Sequence, residues 1–341
     1  FALNNCSECM FSFNLRNAKY AIGNAILPKD KYLEIKSSLL EQMRAELQGK
    51  KSLPSLTDII SKSKDSSKEA KKILAGKLST AIGESKSTEP MEKAFTTTCK
   101  VLFGVGLSGL EAYKPWLTGR MPQGEKRKSV FSGREIYVGN YAKYMEIPKN
   151  RTVLEDEALK YVEVAPPVPG IESITLSNAH EFISAIAYMS LDYHDGTNTN
   201  VIDCMAYAYS TNAIECAPCV QIKDSAYNFW PRTSEHAFGC GVLFDSSFCI
   251  HCYQSVKLTR CFEVDSSRDC ADLYFCHNCE NVHDSMFCFN VKNMKYAIGN
   301  VEVGREKYLE LKASLLARIA PELALKKSLA TGIYGHDGKS K

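Results

Sequence analysis

The stretch FCHNCENVHDSMFCFNVKNMKYAIGN, residues 275–300, places Cys276, Cys279 and Cys288 at intervals that are multiples of three. The same interval holds for the whole chain, whose cysteines are at positions 6, 9, 99, 204, 216, 219, 240, 249, 252, 261, 270, 276, 279 and 288. If Cys99, which lies apart, is left out, the chance that the others share one phase is about one in several hundred thousand. The triplet register is therefore a property of the fold.

Other residues of the same register are small or apolar, whereas the residues between them are mostly polar, charged or aromatic. The register contains Leu243, Ser246, Ser255, Leu258, Val264, Ser267, Leu273, Val282, Ser285 and Val291. The positions between contain Asp245, His251, Gln254, Lys257, Arg260, Glu263, Asp265, Arg268, Asp269 and Asp272. One residue in three is thus expected to point into a narrow core, and its neighbours are expected to tolerate charge.

Neither simple element explains a triplet register that runs from about residue 201 to 297, because an α-helix repeats near 3.6 residues and a strand near 2. A 3₁₀ helix is unstable beyond a few residues, and a polyproline II assembly would need regular proline or glycine. A solenoid of very short strands separated by corners remains, in which stacked coils bury continuous columns of side chains. The sequence predicts a mainly β fold: a cysteine-rich β-solenoid with a triplet register, plus α-helical capping and insertion segments.

The cysteines also form four CxxC pairs, which are typical of zinc sites. The register offers another explanation, because cysteines in adjacent triplets necessarily form CxxC, and a free thiol packs as a small hydrophobe. We favour packing, without cofactor or catalytic residue; a metal site, holding zinc or an iron–sulfur cluster, and disulfide ladders are the alternatives. The candidate metal ligands are Cys216, Cys219, Cys249, Cys252, Cys276 and Cys279. His277 and His283 lie outside the inward register and are expected at the surface.

A long internal repeat frames the chain. FNLRNAKYAIGN (13–24) and FNVKNMKYAIGN (289–300) share nine of twelve residues, and KYLEIKSSLLEQM (31–43) then matches KYLELKASLLARI (307–319) without a gap. Each copy reads as the end of a triplet ladder followed by an amphipathic helix. The helix is expected to cap the open end of its solenoid.

The ladder end also carries a resemblance, through Cys288-Phe289-Asn290-Val291, Tyr296-Ala297-Ile298-Gly299-Asn300 and Glu306-Lys307-Tyr308. It resembles a group of uncharacterised cysteine-rich repeat proteins, of β-solenoid type, from genomes of uncultured microbes and their large viruses. Those proteins carry runs of CxxC that end in CFGC, then YCIxN, then a lysine-glutamate-tyrosine helix start. The resemblance covers about residues 1–47 and 201–325 and implies a fold but no activity. This chain has Val291 and Ala297 where the group has cysteine, which favours packing over metal ligation.

The repeat divides the chain into six segments. They are the end of a first solenoid (1–24), its capping helix (25–47), a helical and irregular connecting region (48–176), a second β-solenoid with a leading helix (177–300), a second capping helix (301–330) and a flexible tail (331–341). Further helices are predicted over 70–82, over 91–116 and from Ser177 to about Asp192. Short strands are predicted in GREIYVGN (133–140) and KYVEVAPPVPG (160–170).

Two short motifs invite functional readings. GVGLSG, residues 104–109, fits the dinucleotide-binding pattern GxGxxG, but no strand–helix–strand pattern surrounds it, so close helix packing is expected. DYHDG, residues 192–196, has a histidine between aspartates and could hold a metal or an acid–base pair. A polar loop at the mouth of the solenoid is the expected reading.

Composition limits the classes of function. The formal net charge is only +3, which gives no general case for nucleic-acid or membrane binding, and no apolar run approaches the roughly 18 residues of a membrane span. The sequence begins FALNN, inside the register and without methionine, so we expect a preceding segment to have been removed or left out. A cytoplasmic location, or one within an assembled particle, is expected.

These patterns predict a non-enzymatic structural or protein-interaction scaffold that acts within a larger assembly, for example as a virion component. Its expected partners are other protein subunits or copies of itself. A metal-binding module that uses the CxxC pairs is the main alternative. A nucleic-acid-associated factor that uses the lysine-rich residues 48–90 is a weaker one.

Overall fold

The structure is a computed structural model that describes residues 1–78, 85–139, 147–243, 246–254, 256–257, 259–265, 268 and 271–333. The chain forms two compact units. The N-terminal unit comprises Phe1–Ile82 and Lys126–Tyr193, and the ladder unit comprises Gly83–Glu125 and His194–Lys341. Each unit contains one copy of the internal repeat.

Helices and strands alternate in blocks along the described residues. The helices are α1 (Lys29–Lys50), α2 (Leu56–Ser61), α3 (Ser67–Leu74), α4 (Glu89–Phe103), α5 (Leu110–Thr118), α6 (Glu155–Val164), α7 (Ala179–Ile183) and α8 (Arg305–Lys326). The strands of the N-terminal block are β1 (Ser7–Met10), β2 (Lys19–Ile22), β3 (Ala25–Ile26), β4 (Glu125–Lys128), β5 (Glu135–Val138), β6 (Thr152–Val153) and β7 (Met189–Ser190). Those of the ladder are β8 (His194–Asp195), β9 (Thr199–Ile202), β10 (Tyr207–Ala208), β11 (Thr211–Ile214), β12 (Cys219–Ala226), β13 (Arg232–Glu235), β14 (Ala237–Phe238), β15 (Phe248–Ile250), β16 (Arg260–Asp265), β17 (Ala271–His277), β18 (Glu280–Met286), β19 (Lys292–Lys295), β20 (Ala297–Ile298) and β21 (Val301–Glu302).

The ladder unit is built on one large sheet of short, mostly parallel strands. Successive partners are twelve residues apart, as in the row Cys249, Cys261, Leu273 and Ser285. Four triplets therefore separate one residue from its partner in the next strand. Residues of the triplet register such as Leu243, Val264, Leu273 and Val282 form a buried cluster with the cysteines. Ser255, Leu258 and Ser267, which belong to the same register, lie outside the described residues.

Left-handed backbone turns the chain after most of the described triplets. The residue before most inward positions has a positive φ, for example Asn281 at 53°, Asp284 at 45° and Phe287 at 53°. This conformation costs most residues about 1–2 kcal/mol, and asparagine and aspartate least among the non-glycine residues. Asparagines at these corners also hydrogen-bond to each other along the stack, with 2.7 Å between Asn281 Nδ2 and Asn293 Oδ1. Such bonds offset part of the backbone cost.

The first pair of strands in the ladder is offset by thirteen residues, one more than the twelve that separate later strand partners. His194 pairs with Tyr207, thirteen positions on, whereas Thr199 pairs with Thr211 at the regular twelve. Gly196 lies between them with a φ of 64°, and a Cβ there would be 2.3 Å from the Tyr209 ring. The positive φ and the nearby ring both favour glycine at this turn, after which strand partners are twelve residues apart.

Helices cover one outward side of the ladder. Its outward residues recur every twelve positions and are apolar: Ile202, Ile214, Ala226, Phe238, Ile250, Phe262, Tyr274, Met286 and Ile298. We call this set the covered column, because α4, α5 and α8 pack against it. The Phe95 and Phe238 rings, for example, lie 5.2 Å apart in a T-shaped contact.

Burial by these helices corrects one expectation about the residues between the inward positions. Glu263 and His251, predicted to face solvent, are 1% and 2% exposed, and Asp265 is 8% exposed. They lie next to the covered column or on the neighbouring side of the stack. The expectation that residues outside the triplet register face solvent is therefore wrong at these positions.

Both copies of the repeat end in the same way. Asn300 accepts a hydrogen bond from Phe289 N at 2.8 Å and donates one to Phe289 O at 3.0 Å, so its side chain replaces the main chain of a further strand. Asn24 makes the same pair of bonds to Phe13. Each ladder then closes with an antiparallel strand, β3 or β21, and continues into a long helix, α1 or α8.

Several predicted elements differ from the structure. Among the described residues, helices account for 33% and strands for 28%, so the mainly β expectation describes only the ladder. Residues 155–164 form α6 rather than a strand, because the Glu157 carboxylate accepts a hydrogen bond from Leu154 N at its start. The helix predicted from Ser177 to Asp192 is limited to α7, because buried residues after it pair as β7 with β6.

Other boundaries moved less. The helix predicted over 91–116 is split into α4 and α5, and the one predicted over 70–82 appears as α3, with residues 79–84 outside the described part. Most of the predicted tail, 334–341, also lies outside it. Among the described residues, none of the helices combines the length and apolar character needed to cross a membrane.

Candidate functional site

The inward thiols and hydroxyls of the ladder hydrogen-bond to their own strand. Cys276 Sγ donates to Tyr274 O at 3.4 Å, and Ser285 Oγ donates to His283 O at 2.8 Å. The acceptor is in both cases the carbonyl two residues earlier, just before the left-handed corner. The fold thus places a donor next to a carbonyl that has turned away from the sheet.

The same side chains bridge to the next strand. Ser285 Oγ accepts from Ala297 N at 3.1 Å, and Cys204 Sγ accepts from Cys216 N at 3.3 Å. Asn228 makes two hydrogen bonds to the next twelve residues, since its Oδ1 accepts from Cys240 N and its Nδ2 donates to Ala237 O, each at 2.9 Å. Cysteine, serine and asparagine are therefore alternative solutions to one need: a small polar group that satisfies buried main-chain atoms.

Ser285→Ala should consequently lower the free energy of unfolding by about 1–3 kcal/mol, because it leaves the buried Ala297 N–H without its acceptor. Ser285→Cys keeps an acceptor and a donor of similar size and should cost clearly less. Urea unfolding of the two variants beside the wild type measures the difference. Equal losses for alanine and cysteine would show that the hydroxyl contributes volume alone.

The structure divides the six candidate metal ligands among three places. Each of these three CxxC pairs lies with a third cysteine, giving a first thiol group (Cys204, Cys216, Cys219), a second (Cys240, Cys249, Cys252) and a third (Cys276, Cys279, Cys288). Asn228 stands between the first and second groups, and Val264 between the second and third, in the column of residues twelve apart. The pairs are not combined into a four-thiolate zinc site within the described residues.

The other cysteines are outside the three groups. Cys261 lies beside the second group, paired in register with Cys249, and Cys99 is buried in α4. Cys6 and Cys9 are partly exposed in the N-terminal unit, and Cys270 lies outside the described residues. All the described cysteines are free thiols. His277 contacts Asp265, with 2.9 Å between Nδ1 and Oδ2, rather than a thiol.

Burial dominates the electrostatics of the first thiol group. It raises the pKa of the Cys204 thiol well above the ordinary value, and it does the same for Cys219. Burial alone would also raise the pKa of Cys216, but hydrogen bonds from the other two thiols outweigh it and lower that pKa. Cys216 is therefore the member of the group that ionises most readily.

The GxGxxG sequence connects two helices. Gly104 ends α4 with a φ of 76°, and Gly109 starts α5 with a φ of 84°. A Cβ at Gly106 would lie 3.0 Å from the Thr96 side chain. The glycines serve this helix–helix turn, without the strand that a dinucleotide site requires before its loop.

The DYHDG residues have separate structural roles. Asp192 Oδ1 accepts a hydrogen bond from Glu155 N at 2.9 Å, at the start of α6. The exposed His194 ring stacks on Tyr207 at 5.5 Å, and Asp195 Oδ1 accepts from Gly196 N. These contacts describe loop and helix-start residues rather than an acid–base pair.

Asp192 makes stability depend on pH. Burial raises its pKa from 3.8 to about 7, so the contribution of this carboxyl is fully present below about pH 4 and is lost as the pH rises to about 7. Asp192→Asn, which mimics the protonated form, should remove this pH-dependent loss, which is about 4 kcal/mol. Urea unfolding at pH 4 and pH 7.5 measures it. The exposed Asp195→Asn is the control, and an unchanged pH dependence in Asp192→Asn would contradict the assignment.

A buried cluster of charged and polar groups around Glu263 was not predicted from the sequence. The Glu263 carboxylate accepts from Ile333 N at 2.7 Å and from Arg120 Nη1 at 3.3 Å, and it lies 3.4 Å from His251 Nδ1. His251 Nε2 in turn lies 3.1 Å from Trp116 O. Glu263 and His251 are twelve residues apart and each follows a member of the covered column. The twelve-residue period of that column is the signal that could have located them.

The interior of the ladder is thus a set of thiol, hydroxyl and amide groups that hydrogen-bond to main-chain atoms, and its covered side is an apolar and charged contact with helices. The first thiol group is the place where several potential ligands meet most closely. Comparison with protein-family models, with curated proteins and with solved structures finds no match.

Proposed function

We propose that this chain is a structural scaffold whose main part is a β-solenoid with four triplets in each twelve-residue coil. The support comes from the register, in which strands from β9 to β20 pair in parallel at a constant step of twelve. Each coil then contributes four inward side chains. A stack of this kind buries its core through neighbouring coils and can present long, regular outer faces.

The observation that carries the proposal is the use of the inward polar groups. Ser285, Asn228 and Cys204 each bond to main-chain atoms of their own or the next coil. Polar groups that bond to the main chain stabilise the stack, and a rigid stack suits a scaffold to which other proteins bind. The outer faces are then the surfaces that meet partners.

Exposed side chains on the outer faces suit protein partners. Trp230, Phe289 and Val220 are 36%, 39% and 41% exposed. Large side chains of this type are common at the centre of protein interfaces, with polar residues around them. We infer that other protein subunits, or copies of this chain, bind these faces within a larger assembly.

Cross-linking in the native source tests the proposal. A tagged chain treated with a lysine-reactive cross-linker should give links to other chains from Lys223 and Lys292, which lie on β12 and β19 with exposed side chains. Links confined to this chain would contradict it. Retained DNA or RNA that is lost steeply with salt would favour the nucleic-acid reading instead.

A matched pair of variants sharpens this test. Trp230→Asn should reduce the recovery of cross-linked partners several-fold, and asparagine suits the φ of 56° at this corner. Leu325→Asn changes a residue that is 82% exposed on α8 and should leave the recovery unchanged. Equal effects of the two would show that the outer faces of the ladder are not the contact surface.

A further inference from the structure

The first thiol group brings three potential ligands together inside the ladder. The sulfurs of Cys204, Cys216 and Cys219 all lie within 4.8 Å of one another, and the residues are at most 7% exposed. Among the described residues, this is the group of cysteines, histidines and acids that meets such a distance, and it contains sulfur alone. The second and third thiol groups do not meet it.

The nearest polar side chain does not supply a fourth ligand. Asn228 turns its Nδ2 toward Cys216 Sγ, at 3.7 Å, while its Oδ1 accepts from Cys240 N. The amide therefore offers a donor to the sulfur and keeps its oxygen for the main chain. The donor set is three sulfurs in a dry environment.

We propose that Cys204, Cys216 and Cys219 bind one soft, monovalent cation of the Cu(I) type. Thiolates select such ions, whereas structural zinc almost always takes four ligands. With metal–sulfur bonds of about 2.3 Å, the sulfurs would have to approach each other by less than about 1 Å. This inference goes beyond the scaffold role, because the scaffold requires only that the thiols pack.

Hydrogen-bond donors next to two of the three sulfurs would stabilise negative charge on them. Each sulfur that ligates as a thiolate releases its proton to solvent, so the complex of Cu(I) with two or three thiolates is negative. Cys216 N–H donates to Cys204 Sγ at 3.3 Å, and Asn228 Nδ2 points at Cys216 Sγ. Hydrogen bonds to sulfur stabilise negative charge there.

The ion would also join two coils. Cys204 and Cys216 are twelve residues apart and so lie on neighbouring coils, while Cys219 follows Cys216 by one triplet. A bound ion therefore adds a cross-link near the start of the ladder.

Anaerobic titration of the reduced full chain with Cu(I), against a chromophoric Cu(I) chelator, tests the proposal. We expect one tightly held ion per chain, with a shell of three sulfurs in X-ray absorption. The triple variant Cys204→Ser, Cys216→Ser, Cys219→Ser should lower the affinity at least 100-fold. The matched triple Cys240→Ser, Cys249→Ser, Cys252→Ser should retain it, and circular dichroism checks the fold of both.

Three results would overturn the assignment. They are wild-type binding no tighter than that of the first triple variant, an equal loss in both triple variants, and preferred binding of zinc with a nitrogen or oxygen as fourth ligand. If the first triple variant does not fold, Cys219→Ser alone decides the matter. It should reduce the shell from three sulfurs to two, and an unchanged three-sulfur shell would contradict the proposal. The cross-linking test of the scaffold uses no metal, so the two can fail separately.

Discussion

Val264→Asp should lower the free energy of unfolding of the ladder unit by about 3–5 kcal/mol, the range for an unpaired charge left in a protein interior. Val264 is fully buried, pairs in register with Cys276 and is packed among apolar and thiol side chains. A carboxylate there finds no cation and must either lose its hydration or take up a proton. Thermal and urea unfolding measure the loss.

Two further variants isolate the cause. Val220→Asp makes the same change at a strand residue that is 41% exposed and pairs with Arg232, so it should cost about 0.5 kcal/mol or less. Val264→Asn should fall between them, because Asn228 occupies the equivalent place 36 residues earlier and makes two hydrogen bonds to main-chain atoms of the next twelve residues, Ala237 O and Cys240 N. If Val220→Asp is as damaging as Val264→Asp, the triplet register does not define the core.

Gly239→Ala should cost about 3 kcal/mol or more, because a side chain has no room at this point. Gly239 has a φ of 64°, and a Cβ would lie 2.3 Å from Leu117 O and 3.0 Å from Leu117 C, both main-chain atoms of α5. The ladder and the helix therefore touch through their backbones. Either α5 moves away or the ladder distorts, and both disturb the apolar contacts of the covered column.

Gly299→Ala is the matched control. Gly299 occupies the equivalent corner five coils later, with a φ of 57°, and a Cβ there meets no atom within 4 Å. Its substitution should cost only the backbone term, about 1 kcal/mol. The difference between the two variants, read from urea unfolding, is the cost of separating α5 from the ladder. A difference near zero would contradict the close approach.

The sequence predicted the inward residues well, because cysteines in one phase of three leave few backbones to choose from. Residues such as Val264, Leu273 and Val282 are buried with the cysteines, as that phase requires. The long helices after each ladder end were also visible, since two copies of one pattern repeat the same apolar spacing. Both predictions rest on periods that extend over many residues.

The step of twelve and the covered side were not predicted, although both leave a trace in the sequence. Apolar residues such as Phe238, Ile250 and Phe262 recur every twelve positions, but a triplet period assigns them only to the outside. Whether an outside position meets water or a helix depends on tertiary packing, which is why the burial of Glu263 was missed. The strand predicted within 160–170 was wrong for a different, local reason, because a hydrogen bond from Leu154 N to the Glu157 carboxylate starts α6.

The hydrogen bonds of Asn24 and Asn300 restrict the lengths that a ladder of this kind can have. Each asparagine closes its ladder with a pair of hydrogen bonds to the residue eleven positions earlier. The asparagine, the antiparallel strand and the long helix after it form a closing unit, and the asparagine's side-chain hydrogen bonds involve only the last twelve residues before it. Adding or removing twelve residues upstream would lengthen or shorten the stack by about 4.8 Å and leave the closing unit intact. The length of the ladder is therefore quantised, and duplication of single coils offers a direct route by which it can change.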